Sequence, residues 1–270
     1  MLAMQKRHSI RHLFWRGGVA VVSQTMMMTG LYPLVPHVVR ALRDDRPPNA
    51  IRIALAEWGM SALVSAARPI GFFPLPSGRG PRPIIVLHGY AMNRANFLPL
   101  ALRLRRAGLG PIFGFEYWTL GRTAAGARQL GWFVDQVREA TGAAEVDIIG
   151  HSMGGVVARY YLLLGGGDRS VHRLITLGSP HAGTDVSGYG IGHATREQAI
   201  GSKLVARLAS APALEHAKLT TILSRGDALV PAALQPDIAG AERIVYDDIG
   251  HVALLGSRRV AAAIIERLGR

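Results

Sequence analysis

From Pro81 onward, short apolar runs alternate with longer stretches of helical periodicity, and few folds accommodate that rhythm. The runs lie at 83–87, 110–115, 146–150, 173–177, 219–223 and 243–246. They are rich in β-branched and aromatic residues and lack polar alternation, as expected of strands buried on both faces. Between and after them, 95–107, 124–141, 153–164 and 252–268 carry helical spacing. Parallel neighbours need a crossover, and a helix supplies it, so the pattern predicts an α/β fold with a mostly parallel central sheet flanked by helices. Only 184–218 breaks the rhythm. It is too long for a simple connection, has a helical piece near 196–208, and reads as an insertion over one end of the sheet.

One turn in this pattern carries chemistry. Gly150-His151-Ser152-Met153-Gly154 is a G-x-S-x-G, which chance alone would produce roughly 0.2 times in a chain of this composition. Its context raises its weight: an apolar run leads in and a helical stretch leads out. A serine on such a sharp turn holds its hydroxyl clear of the sheet, and the flanking glycines avoid clashes there. The bland alternative is a glycine-rich strand-to-helix turn with no catalytic role. A hydroxyl needs a general base, and the base an orienting carboxylate. In this class of sheet they follow in the order acid, then histidine. Asp227 sits just past a strand, and His251, the only histidine after it, precedes the last helix. Asp237, Asp247 and Asp248 stand in less fitting contexts, and His193 and His216 lie in the insertion. For a developing oxyanion, the natural donors are the backbone N–H groups of Met153 and of Tyr90. Tyr90 follows the first strand in Leu87-His88-Gly89-Tyr90. His88 and His151 lie inside these two turns, where histidine packs or bonds locally, and no metal site is expected.

Composition narrows the rest. Hydrophobic residues make up 49% and charged residues 18%, which excludes disorder for most of the chain. The absence of cysteine excludes a disulfide scaffold, a thiolate metal site and a cysteine nucleophile together. The net charge of +13 is concentrated early: residues 1–52 hold eight basic residues against Asp44 and Asp45. Phe14 and Trp15 are the only aromatics near that cluster, so nucleic acid is not an expected partner, and an anionic membrane surface is the alternative to a solvated face. Residues 17–39 carry no formal charge, and a helix of that length reaches across ~30 Å of hydrocarbon. Pro33, Pro36 and several polar residues dilute the run. A signal anchor, a helix lying on a membrane and a helix packed on the rest of the chain all stand. On this reading membrane association or secretion is favoured over the cytoplasm. A second apolar helix is expected over 51–67, stopped by Pro69. The organisation is an N-terminal helical extension, 1–80, and a catalytic domain, 81–270, that holds every catalytic element by itself.

Residues 81–268 resemble an α/β-hydrolase of the bacterial lipase type. The likeness rests on the strand ending in Leu87-His88-Gly89-Tyr90, the Gly150–Gly155 turn, Asp227 in Asp-Ala-Leu-Val-Pro, and His251. The most discriminating piece is Thr176-Leu177-Gly178-Ser179-Pro180-His181-Ala182-Gly183-Thr184. The resemblance implies Ser152 as nucleophile, His251 as general base and then acid, Asp227 as its orienter, and the Tyr90 and Met153 amides as oxyanion hole. It implies a lid over 184–218, with Tyr189, Ile191, Ile200, Leu204, Val205 and Leu208 offering an apolar face. The calcium-binding aspartates of that group do not align here, so no cofactor is expected and structural calcium has no support. The expected activity is cleavage of carboxylic esters, lipids included, through an acyl-enzyme. An acyltransferase or thioesterase would use the same three residues, and a non-catalytic membrane-associated scaffold would have no need of them.

Overall fold

The structure, a computed structural model, describes residues 49–269 except 186, 188 and 189. The basic residues before Arg52, the 17–39 run and Tyr189 therefore lie outside the described residues. Six strands form one sheet: β1 (Ile84–Leu87), β2 (Ile112–Phe115), β3 (Val146–His151), β4 (Val171–Leu177), β5 (Lys218–Ser224) and β6 (Glu242–Tyr246). Their order is β2-β1-β3-β4-β5-β6, and every pairing is parallel. The sheet is thus wholly parallel, and each of the six expected runs is a strand. Chain order reverses at β1, with β2 on one side and β3 on the other. In open sheets of this kind the crevice beyond the carboxyl ends at such a reversal is where ligands bind.

Successive strand side chains point to opposite faces, so each face collects its own core. Ile84 and Val86 of β1 join α2 (Leu98–Arg106), α7 (Ala253–Gly256) and α8 (Arg258–Leu268). Ile85 and Leu87 join α3 (Thr123–Thr141) and α4 (Met153–Leu164) on the other. On α8 the buried residues are Val260, Ala261, Ile264 and Leu268, a stripe of helical period, and each large apolar side chain so buried contributes at most about 1.5–3 kcal/mol. The terminal helical stretch is split at Ser257, which is extended and caps α8 by accepting from the Val260 N–H at 3.3 Å. The insertion holds two short helices, α5 (His193–Glu197) and α6 (Lys203–Ala209), rather than one piece. It is fastened down: the Glu197 carboxylate accepts from the Thr123 N–H at 2.7 Å, and the Tyr90 hydroxyl bonds both the N–H and the C=O of Ile191 at 2.9 Å. Leu208 is buried beneath it, whereas Ile191 and Ile200 are exposed.

The helix expected over 51–67 is α1 (Ala50–Ala66). It buries Ile53, Glu57, Ser61 and Val64, one side at i, i+4 spacing, and leaves Ile51, Leu55, Trp58 and Leu63 exposed. Packing runs across the 80/81 boundary drawn from sequence: Val64 and Leu75 share the core cluster of β1 and α8. Among the described residues no helix is long and apolar enough to cross a membrane. A chain beginning at Ser77 leaves that face of the core uncovered, and thermal unfolding of the truncated protein is expected to fall well below that of the full chain, with aggregation on heating. An unchanged midpoint and a monodisperse fragment would show that α1 is dispensable for folding.

Candidate active site

The turn after β3 is built by steric exclusion. A Cβ on Gly154 would stand 2.5 Å from the Leu87 carbonyl oxygen, and one on Gly150 2.6 Å from the Gly155 Cα, so helix α4 can start against β1 and β3 only because both are glycine. Ser152 takes φ 54° and ψ −125°, a region that costs a non-glycine residue of order 1–3 kcal/mol. Its N–H extends the sheet ladder to the Leu177 carbonyl at 2.8 Å, and its side chain faces a pocket together with His251, Tyr90, Met92 and Leu229. Met153 is the first residue of α4, where backbone N–H groups lack partners within the helix. Tyr90 sits in the loop after β1 and lines the same pocket as Ser152.

Asp227 and His251 meet as the sequence predicts. The Asp227 Oδ2 lies 2.7 Å from His251 Nδ1, with Asp227 fully buried and His251 only 4% exposed. The other carboxylate oxygen accepts from the N–H groups of Leu229 and Val230 at 2.9 and 2.8 Å. Asp247 and Asp248, the competing carboxylates, are exposed and pair with Arg225 and Arg259 respectively. Burial pushes the His251 imidazole down; the Asp227 charge and its hydrogen bond, joined by the charge of Glu57, outweigh it and hold His251 above its usual 6.5. His151 is held well below 6.5, first by burial and then by the charge of His251. It lies 3.1 Å from the His251 carbonyl through Nε2. A carbonyl only accepts, so His151 is the Nε2–H tautomer and tethers the His251 backbone. His88 stacks on Tyr117 and lies 3.2 Å from the Glu116 carboxylate, a local arrangement. Among the described residues no group of three or more His, Asp or Glu side chains could hold a metal ion.

The Thr176–Thr184 segment finds its reason here. Gly178 has φ 54°, and a Cβ there would stand 2.9 Å from Asp227 Oδ2 and 3.1 Å from His251 Nδ1. The backbone itself walls the Asp–His pair. His181 is buried against Thr176 at 3.1 Å and is pushed down to about 3 by burial and then by Arg159, so it stays neutral.

These observations describe a parallel sheet with a sharp serine turn at its chain reversal and a buried Asp–His pair beside it. Comparison with known proteins bears on the fold. The PGAP1-like alpha/beta domain family matches residues 129–198. The mature lipase of Bacillus licheniformis superposes with a TM-score of 0.64 at 14% identity, over 73% of this chain and 97% of that one. The chain has the α/β-hydrolase fold. Lipase B of Aspergillus fumigatus superposes with a TM-score of 0.59 at 15% identity, over 73% of this chain and 55% of that one. In sequence the chain is distantly homologous to bacterial triacylglycerol lipases. It is 28% identical to that of Burkholderia plantarii over 165 residues, 56% of this chain and 45% of the relative. It is 39% identical to that of Pseudarthrobacter phenanthrenivorans over 61 residues, 23% of this chain and 18% of the relative. The chain thus spans less than half the length of the curated relatives it matches.

Sequence reasoning missed Glu57. Its side chain lies on α1, fully buried, with both carboxylate oxygens on the backbone beside His251. A signal was present: Glu57 is the single acidic residue between Asp45 and Glu116, set in the middle of an apolar helix. A carboxylate in such a place is buried only where the protein supplies it with hydrogen-bond donors or a counter-charge. For Gly178 the expected result of Gly178→Ala is a folded protein whose kcat on a short ester falls by about 100-fold or more, because an ångström-scale shift of the Asp–His pair suffices for such a loss. A kcat within threefold of wild type would show that this contact is not needed.

Proposed function

We propose that the chain hydrolyses carboxylic esters of lipid type through an acyl-enzyme on Ser152, with His251 as general base and acid and Asp227 as its orienter. The observation that carries this reading is the buried His251–Asp227 bond of 2.7 Å in one pocket with the strained Ser152. Neutral His251 takes the Ser152 proton as the oxygen attacks the acyl carbon. The tetrahedral oxyanion is met by the N–H groups of Met153 and Tyr90. On collapse the ester C–O bond breaks, and imidazolium His251 returns the proton to the departing alcohol. Water, losing its proton to His251, then frees the acid and restores Ser152. Asp227 fixes the tautomer with Nδ1–H toward itself, which leaves Nε2 as the nitrogen that takes the serine proton. Apolar lining from Val64, Met92, Leu229, Val230 and Val252 suits an acyl chain, and the distant homology to triacylglycerol lipases supports lipid esters as substrate class. The insertion over 184–218 would then cover the acyl site as a lid. A membrane or lipid surface remains a proposed partner of residues 1–52, which lie almost wholly outside the described residues.

The test is initial rates on p-nitrophenyl esters from acetyl to palmitoyl. Ser152→Ala, His251→Ala and Asp227→Asn are each expected to lower kcat by about three to six orders of magnitude with little change in KM. Equal turnover by wild type and Ser152→Ala would sink the reading. Full activity of Asp227→Asn with loss in Asp247→Asn would move the acid elsewhere. Protonated His251 is inactive, so kcat/KM is expected to rise with pH through one limb. The sequence alone puts that limb near the free histidine value; the surrounding carboxylates move it above 6.5.

A further inference from the structure

Helix α1 belongs to the segment that the sequence sets apart as an extension, yet it walls the pocket through Ser61, Val64 and Ser65. Its deepest residue is Glu57, with no exposed surface. Among the described residues no Lys or Arg side chain pairs with the carboxylate; its partners are backbone N–H groups. Oε1 accepts from the Val252 N–H at 2.8 Å and Oε2 from the Ala253 N–H at 2.9 Å, across 195 and 196 positions of sequence. These are the two amides that follow His251. Room for the carboxylate exists because residue 250 is glycine: a Cβ there would overlap Glu57 Oε2. His251 is therefore gripped on three sides, at Nδ1 by Asp227 from the loop after β5, at its carbonyl by His151 at the end of β3, and at the next two amides by Glu57 from α1.

We infer that Glu57 is a positioning residue of the ester-hydrolysing site, holding the His251 loop in register and placing a second negative charge behind the imidazole. This role rests on the proposed hydrolysis by Ser152 and His251. The charge matters because His251 becomes imidazolium while the serine attacks, and a buried carboxylate favours that form. Burial lifts Glu57 from 4.5 to about 7, against the pull of His251 and of the two backbone N–H groups, and Asp227 adds to the rise, so the second charge is lost as pH falls through about 7 while the two backbone contacts do not depend on it. The charges that reach His251 are thus those of Asp227 and Glu57, with His151 neutral beside them, and Glu57 and His251 titrate as a coupled pair. On this inference the extension is part of the catalytic unit and not an appendage to it.

The full-length Glu57→Gln protein keeps shape and loses the charge together with one of the two acceptor oxygens. Its kcat, per site titrated with an active-site-directed phosphonate, is expected to fall about 10- to 100-fold on a short ester while KM stays within about threefold. The sign of the pH effect follows from the charge: without it imidazolium is less favoured, so the acid limb of kcat/KM moves to lower pH. The downfield proton of the His251 Nδ1–H bond should titrate at lower pH as well, a readout independent of turnover. Glu57→Asp, which keeps the charge and shortens the reach, is expected to restore the limb more than it restores kcat. A Glu57→Gln protein that loses thermal stability alone, with kcat per titrated site and acid limb unmoved, overturns the inference. Should Glu57→Gln not fold, a folded Glu57→Asp protein with unaltered kcat per titrated site overturns it equally. Ser152→Ala is assayed alongside: if it turns over like wild type the hydrolytic reading itself falls, whereas an inactive Ser152→Ala beside an unaltered Glu57→Gln removes only the role of Glu57.

Discussion

A carboxylate with no solvent must find every stabilising partner inside the protein, and Asp227 organises the loops around it for that reason. Two backbone N–H groups of its own turn and the imidazole of His251 provide them. For the imidazole to arrive, the loops after β5 and β6 must end level. The β5–β6 register does this, pairing Ser224 with Tyr246, and the Arg225 N–H continues the ladder to the Tyr246 carbonyl at 2.8 Å. Ser224 then ties the two loops together, its hydroxyl accepting from the Gly226 N–H at 3.1 Å and the Ile249 N–H at 3.2 Å. Strand order, register and a buried hydroxyl thus converge on one hydrogen bond, and the positive φ of Gly178 lets β4 close the same pocket from the side.

Much of this was legible before any coordinates. Strands buried on both faces announce themselves as continuous apolar runs, and all six were found within two residues of their ends, because period and turn residues are local properties. The serine turn was readable for the same reason: glycines, strand and helix are contiguous. The pairing of Asp227 with His251 needed only chain order and the scarcity of other histidines. Register was not legible, nor was the split at Ser257, where a cap competes with helix continuation. Least legible was the relation of α1 to the rest. Its two sides are both apolar, so periodicity does not say which side is buried, and the contact of Glu57 with Val252 spans 195 positions. Local pattern carries no information about such a partner; only the oddity of a lone acid did.

The boundary at Pro81 follows from the onset of alternating strand and helix patterns, and local pattern is blind to mechanical connection. α1 and the turn after it touch both sides of the pocket. Glu57 holds the loop of His251, while the Arg68 side chain donates to the Ala91 carbonyl and the Arg68 carbonyl accepts from Asn93 at 3.0 Å. Ala91 is itself at φ 53°, an uncommon conformation for a residue with a Cβ, and it adjoins Tyr90. One helix therefore braces the loop that carries the proposed base and the loop that carries a proposed oxyanion donor. At its N-terminus Asn49, at φ 67°, makes no side-chain cap bond, so α1 is held by its packing and by these contacts rather than by its cap, and its removal would release both loops at once.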